Sequence, residues 1–590
     1  MDLARNKTRV FRGIGASPGI AIGTVRLTDR SRVAVTEYHV AAEEVADEVE
    51  RFVTALARAK DDLSQIKHQL SATRGPEHLY VIDTHLLILE DSMLSRGTVE
   101  LIERERINAE AALKRTLKKF QEFFAAIEDE YLRERSGDVE TVVERVLRTM
   151  VGKRHEPLST IPETEGNVIV VAHDLSPTDT LQIDKAKVIG FVTDLGGKTS
   201  HTSILARALE IPAVVGTETI TGEDIDGLPV IVDGTDGTIV VNPDLGTFRD
   251  YLRRKQRYEY QEQQYLKLKD DPSVTLDGHR MALVGNVEFA EEIPSLKRHG
   301  CEGIGLYRTE MLYMNREGLP DEEEQYAAYA TIVEGMAPHP VTIRTLDIGG
   351  DKLATDLHLQ DELNPALGLR AIRLSLRKPE VFKIQLRAIL RASALGKVRI
   401  FFPMISGIEE FRRARQILDE AKTELRSAGI PFDEQIEVGI MVEIPSAVLT
   451  ADILAREVDF FSVGTNDLIQ YSLAIDRTNE HLADLYQPLH PAILRSLKMV
   501  VDAAHGAGIR ACMCGEMAGE PSYLPVLLGL GFDELSMNAV SVPRVKSVLR
   551  RASREDAERL VAKAFTLATA TEVETYLMSE ISARYSESFD

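Results

Sequence analysis

One histidine, His201, lies among hydroxyl side chains in the segment TDLGGKTSHTSILARALEIPAVVG. Gly196 and Gly197 follow a strand-like stretch and allow a tight turn, after which ILARAL predicts a helix. The N–H groups and the positive dipole end at the start of a helix favour an attached phosphoryl group and keep an imidazole neutral. His201 therefore has the surroundings of a nucleophile in phosphoryl transfer, with a capping or structural role as the alternative. No GxSxG elbow is present, so the sequence does not support acyl transfer.

Three arginines end or follow strand-like stretches in the C-terminal half of the chain: Arg308, Arg344 and Arg477. Each of them alone could form a surface ion pair. A guanidinium group binds a carboxylate or a phosphate through two parallel hydrogen bonds. Three guanidinium groups that converge therefore predict a pocket for a small, multiply charged anion.

Two carboxylates also follow strands that look buried, Glu443 in GIMVEIPSA and Asp467 in VGTNDLIQ. Burial of either carboxylate without a partner would be costly. Together with Asn466 they offer hard oxygen ligands, which suit a Mg²⁺ ion that keeps waters and contacts a substrate phosphate. The sequence therefore predicts a magnesium site, and ion pairs with the arginines are the alternative.

A cysteine, Cys514 in ACMCGEMAG, ends another strand-like stretch. An ordinary thiol has a pKa of about 8.5 and is mostly protonated at neutral pH, so in an anion pocket it can donate a proton. The alternative is an inert, buried side chain. Cys512 lies two residues earlier and is expected on the opposite face of the strand, in a structural role.

Eight strand-like stretches alternate with helical segments after Asp271, which predicts a (β/α)8 barrel over residues 271–590. The stretches are HRMALVGN, EGIGLYR, VTIRTLD, VRIFFPM, IEVGIMVE, DFFSVGT, IRACMCG and FDELSMN. Polar side chains stand at their carboxyl ends, among them Asn286, Asp347 and Ser536. Because a barrel places all of these ends on one face, we expect the arginines, the carboxylates and the thiol to share one site.

The chain before the barrel divides into three further parts. Residues 1–40 and 151–243 consist of strands and turns and predict a compact α/β domain, into which the amphipathic helices of residues 41–150 are inserted. Residues 244–270 carry dense opposite charges without proline and predict a linker helix. The predicted fold class is α/β: a histidine-bearing α/β domain with an inserted α-helical subdomain, a linker helix and a C-terminal (β/α)8 barrel.

Composition excludes several classes of protein. The chain has 590 residues, with 70 Lys and Arg against 93 Asp and Glu and a net charge of −23, which argues against a nucleic-acid partner. No apolar run reaches the ~18 to 20 residues that cross a bilayer, and the start lacks the apolar core of a signal peptide. We therefore expect a cytoplasmic protein without direct membrane insertion. The three cysteines cannot form a disulfide framework.

Two long segments resemble signatures of a known family. GGKTSHTSILAR resembles the phosphohistidine signature of the phosphoenolpyruvate-utilising enzymes, and DFFSVGTNDLIQYSLAIDR resembles their second signature. Among these enzymes, the order of parts is similar to the enzyme I family of the bacterial phosphotransferase system. The similarity runs nearly from end to end, through ASPGIAIG, GIGLYRTE, IRTLDIGGDK, NPALGLRAIR, VEIPSA, LYQPLHP and MCGEMAG.

The resemblance implies a role for each matching position. It makes His201 the residue phosphorylated on Nε2, and Cys514 the donor of a proton to the enolate carbon, so that pyruvate leaves. The residues that it implies for phosphoenolpyruvate are Arg308, Arg344, Arg477, Asn466 and Asp467, with Lys352 in GGDK and Arg370 in GLRAIR as further polar positions. Glu443 and Asp467 would hold Mg²⁺.

The resemblance also implies partners. The acceptor would be the phosphocarrier protein HPr, which would dock on the acidic helices of residues 41–150 through a basic patch. The histidine domain would swing on the linker helix between the barrel and HPr, and the barrel would form a homodimer.

Three alternatives stay open beside this interpretation. A relative of phosphoenolpyruvate synthase or pyruvate phosphate dikinase would need an ATP-binding domain, for which no P-loop is present. The regulatory paralogue of the nitrogen phosphotransferase system usually carries an N-terminal sensory domain, whereas this chain starts almost directly with ASPGIAIG. A silent scaffold that only binds HPr would be favoured by loss of His201, Cys514 or an arginine.

Overall fold

The computed structural model describes residues 7–28, 35–70, 76–126, 130–152, 166–175, 183, 187–197, 201–313, 318–349, 364–477, 479, 482 and 485–585. The chain divides into two compact units, residues 1–261 and 262–590. No helix in the described ranges is long and apolar enough to cross a membrane.

The first unit contains an eight-stranded mixed sheet with the strand order β1-β8-β7-β3-β4-β5-β6-β2. Its strands are β1 (Arg9–Arg12), β2 (Ile14–Ser17), β3 (Ile20–Thr28), β4 (Val168–Ala172), β5 (Val188–Thr193), β6 (Ala213–Val215), β7 (Pro229–Asp233) and β8 (Thr238–Val241). Strand β3 pairs in parallel with β4, and β5 and β6 continue the parallel part. Strands from both sides of the helical segment therefore share one sheet, as the predicted fold class requires.

The helical segment has a hydrophobic core of its own, which includes Phe52, Leu63, Leu101 and Val143. Its helices are α1 (Val45–Leu70), α2 (Pro76–Glu90), α3 (Ser92–Glu105), α4 (Ala109–Ala126) and α5 (Glu130–Met150). Two further helices follow, α6 (His201–Leu209) and α7 (Leu245–Lys267). The 23 residues of α7 give a helix of about 34 Å with no buried residue, as expected of a linker helix.

The second unit is a closed barrel of eight parallel strands, in which the last strand pairs with the first. Its strands are β9 (Ala282–Val287), β10 (Ile304–Tyr307), β11 (Val341–Arg344), β12 (Val398–Phe402), β13 (Glu437–Val442), β14 (Phe460–Val463), β15 (Arg510–Met513) and β16 (Glu534–Met537). Seven of them lie within the predicted stretches, and β9 extends one residue beyond its stretch, to Val287, so the predicted barrel is confirmed.

The helices of the second unit follow and surround these strands. They are α8 (Ile293–Arg298), α9 (Glu322–Met336), α10 (Ala371–Arg377), α11 (Pro379–Ala392), α12 (Ile408–Ser427), α13 (Pro445–Leu449), α14 (Ala451–Leu454), α15 (Thr465–Leu473), α16 (Pro491–Ala507), α17 (Leu524–Leu530), α18 (Val542–Leu549), α19 (Arg554–Ala564) and α20 (Ala570–Tyr585). Their apolar faces form one large core with the outward faces of the strands. This core supports the strands from outside, and we call the face at their carboxyl ends the barrel mouth.

Charged residues close the interior of the barrel at the amino ends of the strands. Arg399 on β12 forms ion pairs with Glu437 at 3.1 Å and with Glu534 at 3.2 Å. Since β12 and β16 are not neighbours in the ring, the pair between Arg399 and Glu534 crosses the interior. Charged side chains thus bridge the amino-terminal end, and in barrels of this type the ligand binds at the opposite end, the barrel mouth.

An apolar layer follows between the charged end and the mouth. It contains Leu306, Phe401, Met441 and Phe460, together with Cys512 and Cys514. The expectation that Cys512 lies on the opposite face of its strand from Cys514 is wrong. Successive side chains alternate between faces, so residues two apart share a face, and here both thiols belong to one buried cluster.

Candidate functional site

Helix α6 begins at His201, as predicted. In the turn before it, Gly196 has φ of +113°, a conformation that favours glycine. Two hydroxyls fasten the first turn of the helix: Ser203 Oγ donates to the Gly197 carbonyl at 2.6 Å, and Thr202 Oγ1 donates to the Leu175 carbonyl at 3.4 Å. The side chain of His201 lies outside the described part of the structure, so its role stays a prediction.

In the barrel, Arg344 ends β11 and lies in a buried network of charges. Its Nη1 is 2.8 Å from Asp347 Oδ2, and its Nη2 is 3.0 Å from Glu310 Oε1. Burial alone would lower the pKa of the Arg344 guanidinium, but the charges of Glu310 and Asp347 outweigh burial and raise that pKa. Arg344 is therefore a permanent cation. Its buried Nε has no hydrogen-bond partner within the described ranges.

A second buried arginine, Arg370, extends this network. Its Nη2 is 2.8 Å from Asp347 Oδ1 and 3.5 Å from Asp467 Oδ2, and its Nη1 donates to the Tyr471 hydroxyl at 3.4 Å. Burial would raise the pKa of the Asp347 carboxyl, but Arg344 and Arg370 outweigh burial and lower it. The structure thus brings the predicted residues together: Arg344 and Arg370 meet at Asp347, and Arg370 also contacts Asp467.

Glu443 follows β13 as a fully buried carboxylate. Its Oε1 accepts the Met404 N–H at 2.6 Å. Burial raises the pKa of the Glu443 carboxyl well above its ordinary value, and the charges of Asp467 and Asp347 raise it further, against Arg344 and Arg370. Asp467 Oδ1 is also buried, and no hydrogen-bond partner for it is found in the described part of the chain. A bound cation would offset this crowding of negative charge.

The two carboxylates do not form a complete protein cage for a metal. Among the described residues, no group of three or more His, Cys, Asp or Glu side chains is placed to hold a metal ion. Mg²⁺ requires only one or two protein carboxylates when waters and a substrate phosphate supply the other ligands. Glu443 and Asp467 fit that pattern, since Asp467 Oδ1 has no hydrogen-bond partner among the described residues.

Arg308 and Arg477 are more exposed than Arg344, and each faces a carboxylate. Arg308 Nη1 is 2.5 Å from Glu288 Oε1, and 38% of the Arg308 side chain is exposed. Arg477 Nη1 is 3.8 Å from Asp467 Oδ1, and 42% of its side chain is exposed. These two arginines therefore present positive charge to solvent, whereas Arg344 holds its charge inside the barrel.

Cys514 directly follows β15, and its thiol is buried. Its Sγ accepts a hydrogen bond from Ser462 Oγ at 3.2 Å. Burial raises the pKa of the Cys514 thiol to about 11, against smaller effects of Ser462 and Arg344. At neutral pH the thiol therefore keeps its proton, which is the state that a proton donor needs.

Two asparagines connect the strand ends around this cysteine. Asn286 Nδ2 donates to the Cys514 carbonyl at 3.2 Å, while its Oδ1 accepts from Ser536 Oγ at 2.5 Å. Asn466 Oδ1 accepts the Glu516 N–H at 3.0 Å, which ties the start of α15 to the segment after Cys514. Lys352 lies outside the described residues, and its part in the site stays a prediction.

The sequence interpretation missed two residues of the site. Glu310 Oε1 accepts from Arg344 Nη2 and from the Asp347 N–H, each at 3.0 Å, and so joins two strand ends. Glu310 stands two residues after Arg308 at the same strand end, and this position could have indicated that it belongs to the site. Ser462, the partner of the Cys514 thiol, is two residues from Phe460 on β14, and the period of two indicates that both face the interior.

Comparison with known proteins gives three family models that match successive parts of the chain. The descriptions are PEP-utilising enzyme, N-terminal, for residues 12–135, PEP-utilising enzyme, mobile domain, for residues 164–237, and PEP-utilising enzyme, PEP-binding domain, for residues 262–554. The last of these matches covers all eight strands of the barrel.

Curated relatives are similar over nearly the whole chain. A phosphoenolpyruvate-protein phosphotransferase of Bacillus sp. (strain S) is 46% identical over 97% of this chain and 98% of its own length. The protein of that name in Bacillus subtilis (strain 168) is 44% identical over 96% of this chain and 99% of its own length. That of Haemophilus influenzae is 42% identical over 96% of this chain and 98% of its own length.

A solved solution structure of an Enzyme I protein is 36% identical and covers 42% of this chain and 99% of its own, at a TM-score of 0.38, too low to support a statement about the fold. The sequence relatives match both units of the chain, and their identity is high enough to establish the family. The chain therefore belongs to the phosphoenolpyruvate-protein phosphotransferase family of PEP-utilising enzymes.

Proposed function

We propose that this protein transfers the phosphoryl group of phosphoenolpyruvate to its own His201 and from there to a histidine of an HPr-type phosphocarrier protein, with release of pyruvate. One observation carries the proposal. Permanent cations, paired carboxylates and a protonated thiol meet at the mouth of a barrel whose other end is bridged by charged side chains. The family to which the chain belongs is consistent with that chemistry.

The arginines would bind the anionic substrate. The Nε of Arg344 is a buried donor that lacks an acceptor among the described residues, so an incoming phosphate or carboxylate oxygen would satisfy it. Arg308 and Arg477 are exposed enough to close on the substrate from solvent. Arg370 would act mainly through Asp347 and Asp467, because both carboxylates already occupy its Nη2.

A divalent metal ion is typical of this family, and we propose Mg²⁺ held by Glu443 and Asp467. When bound, it would neutralise charge on the phosphoryl group. The residues of the chain would do the rest. The arginines would orient the phosphate for in-line attack by His201, and the closed end of the barrel would exclude water from that side.

The thiol of Cys514 would protonate the second product, the enolate of pyruvate. Loss of the phosphoryl group leaves the enolate of pyruvate, whose methylene carbon must take up a proton. Because burial keeps the Cys514 proton in place at neutral pH, the thiol can supply it only to a strongly basic acceptor such as that carbon. Ser462 would hold the sulfur in position through its hydrogen bond.

We propose the inserted helices of residues 41–150 as the surface that receives the phosphocarrier. That segment carries more acidic than basic side chains, so it would attract a protein whose phosphorylated histidine lies beside a basic patch. The second part of the proposal, a homodimer formed through the barrel, rests on the family resemblance.

The test is incubation of the pure protein with labelled phosphoenolpyruvate and Mg²⁺. We expect acid-labile label on the wild type and on a His68→Ala control, which changes an exposed histidine of α1, but none on His201→Ala. Label that persists on His201→Ala would contradict the histidine assignment. Addition of a phosphocarrier should then remove the label, and retention of all label would contradict the second step.

A further inference from the structure

A buried glutamine, Gln385 on α11, connects the two segments that carry the buried part of the arginine site. Its Oε1 accepts the Leu346 N–H at 3.0 Å, and its Nε2 donates to Thr309 Oγ1 at 3.2 Å. Thr309 follows Arg308, and Leu346 precedes Asp347 in the chain. One carboxamide thus holds the residues next to two groups that the substrate site uses.

The threonine extends this connection to a third group. Thr309 Oγ1 donates to the Arg344 carbonyl at 3.1 Å. Because this hydroxyl has a single proton, which it gives to Arg344, it can receive Gln385 only as an acceptor. The direction of each hydrogen bond is therefore fixed, and Gln385 is linked through Thr309 to the backbone of Arg344.

The other side of the glutamine is anchored in the core. Gln385 Nε2 also donates to the Tyr329 hydroxyl at 3.3 Å, and that hydroxyl donates to Gln325 Oε1 at 3.0 Å. Gln325 Nε2 in turn donates to the Pro320 carbonyl at 3.1 Å. Gln385, Thr309, Tyr329 and Gln325 are all at most 1% exposed, so water cannot replace a bond that is lost.

Besides Gln385, a few direct hydrogen bonds and a small apolar cluster connect the segments that follow β10 and β11. The strands β10 and β11 pair only up to Tyr307 and Ile343, and their register shifts between Ile304 and Tyr307. Beyond the paired part, the described residues that bond directly across the two ends include Thr309, which donates to the Arg344 carbonyl, and Glu310, which contacts Arg344 and the Asp347 N–H. Gln385 is thus a buried polar link between the two segments that carry Arg308 and Arg344.

We propose that Gln385 is a positioning residue for substrate binding, which sets the distance between Arg308 and Arg344 through Thr309 and Leu346. This inference rests on the proposed function, since it concerns the spacing of the arginines that would bind phosphoenolpyruvate. A displacement of about 1 Å in such a site is enough to lower activity by up to about a hundredfold.

The experiment measures KM for phosphoenolpyruvate and kcat for pyruvate formation in wild type and in Gln385→Met, which keeps the length of the side chain but cannot hydrogen-bond through an amide. We expect KM to rise about tenfold or more. Loss of folded enzyme would lower the apparent kcat without changing KM, so a purely structural role predicts an unchanged KM. An unchanged KM in folded Gln385→Met would overturn the proposal.

The matched control is Gln325→Met, which removes a glutamine that is buried in the same network but does not contact Thr309 or Leu346. We expect it to lower the melting temperature while KM changes less than about twofold. An equal rise of KM in both variants would mean that any damage to the core has this effect, and would overturn the proposal.

A second variant, Thr309→Val, removes the hydroxyl through which Gln385 reaches Arg344. If Gln385 acts through this hydroxyl, the variant that combines Gln385→Met with Thr309→Val should raise KM by clearly less than the product of the two single effects. If the increase in KM of the double variant equals the product of the two single increases, the proposal is overturned. This comparison holds even where Gln385→Met alone folds poorly. If wild type forms neither pyruvate nor phosphohistidine, the proposed function fails, whereas the inference fails only where wild type is active.

Discussion

Replacement of Arg344 by methionine tests how the buried charges are balanced. The change removes the partner of Glu310 and one of the two partners of Asp347, while Arg370 still pairs with Asp347 at 2.8 Å. Among the described residues, Glu310 would keep the Asp347 N–H as a hydrogen-bond donor and the charge of the more distant Arg308. Leaving a buried charge without its partner costs about 3 to 5 kcal/mol, and we take the lower end, ~3 kcal/mol, because Asp347 keeps a guanidinium.

The loss of stability in Arg344→Met should depend on pH, and the direction of this dependence follows from the titration of Glu310. Burial already raises the pKa of the Glu310 carboxyl in the wild type, against the opposing charge of Arg344. Without Arg344 the pKa rises further, so the folded variant takes up a proton at a higher pH than the unfolded chain does. Stability of the variant is then regained as the pH falls through that raised pKa. The difference from wild type should be largest above neutral pH and shrink toward pH 5.

Calorimetric unfolding of the full chain at several pH values between 5 and 8 measures this difference, with the barrel transition followed separately from that of the first unit. A loss of ~3 kcal/mol corresponds to a fall of roughly 6 °C in melting temperature, at about 2 °C per kcal/mol for a large unit. The control in the same unit is Arg456→Met, whose exposed ion pair with Asp452 should contribute less than about 1 kcal/mol. A difference that grows as the pH falls would refute the assignment to Glu310.

Three further predictions concern the proton donor, the metal site and the dimer. Cys514→Ala should lower the rate of pyruvate formation by about 10²- to 10⁴-fold in a coupled assay, and an unchanged rate would remove the thiol from that role. Glu443→Gln keeps an acceptor for the Met404 N–H but removes a crowded buried charge. The melting temperature without metal should stay equal or rise, while Mg²⁺-dependent labelling should be lost. A lower melting temperature would contradict the raised pKa of the Glu443 carboxyl. Leu449→Glu, at a side chain that is 70% exposed next to the exposed Ile453, should shift sedimentation from dimer to monomer if the barrel dimerises through this face, and an unchanged dimer would exclude the face.

The fold was readable from the sequence where its signals are local. Eight apolar stretches with helical spacers predicted eight strands because a strand needs only a short run of buried side chains. The glycines before His201 and the helix after it were found for the same reason. The incorrect placement of Cys512 had a different cause: the period of two was available, and it puts Cys512 and Cys514 on one face.

The composition of the site was also contained in the sequence, but its connections were not. The residue types at the strand ends indicated an anion pocket with a carboxylate pair, and the structure brings Arg344, Arg370, Glu443 and Asp467 together. Only the tertiary structure decided that Arg370 pairs with Asp347 and Asp467, that Glu310 joins two strand ends, and that Gln385 lies behind them. Such pairings depend on distances between residues far apart in the chain, which the closure of the barrel fixes. The state of the Cys514 thiol depends in the same way on burial, a property of the packed interior that no local pattern of residues records.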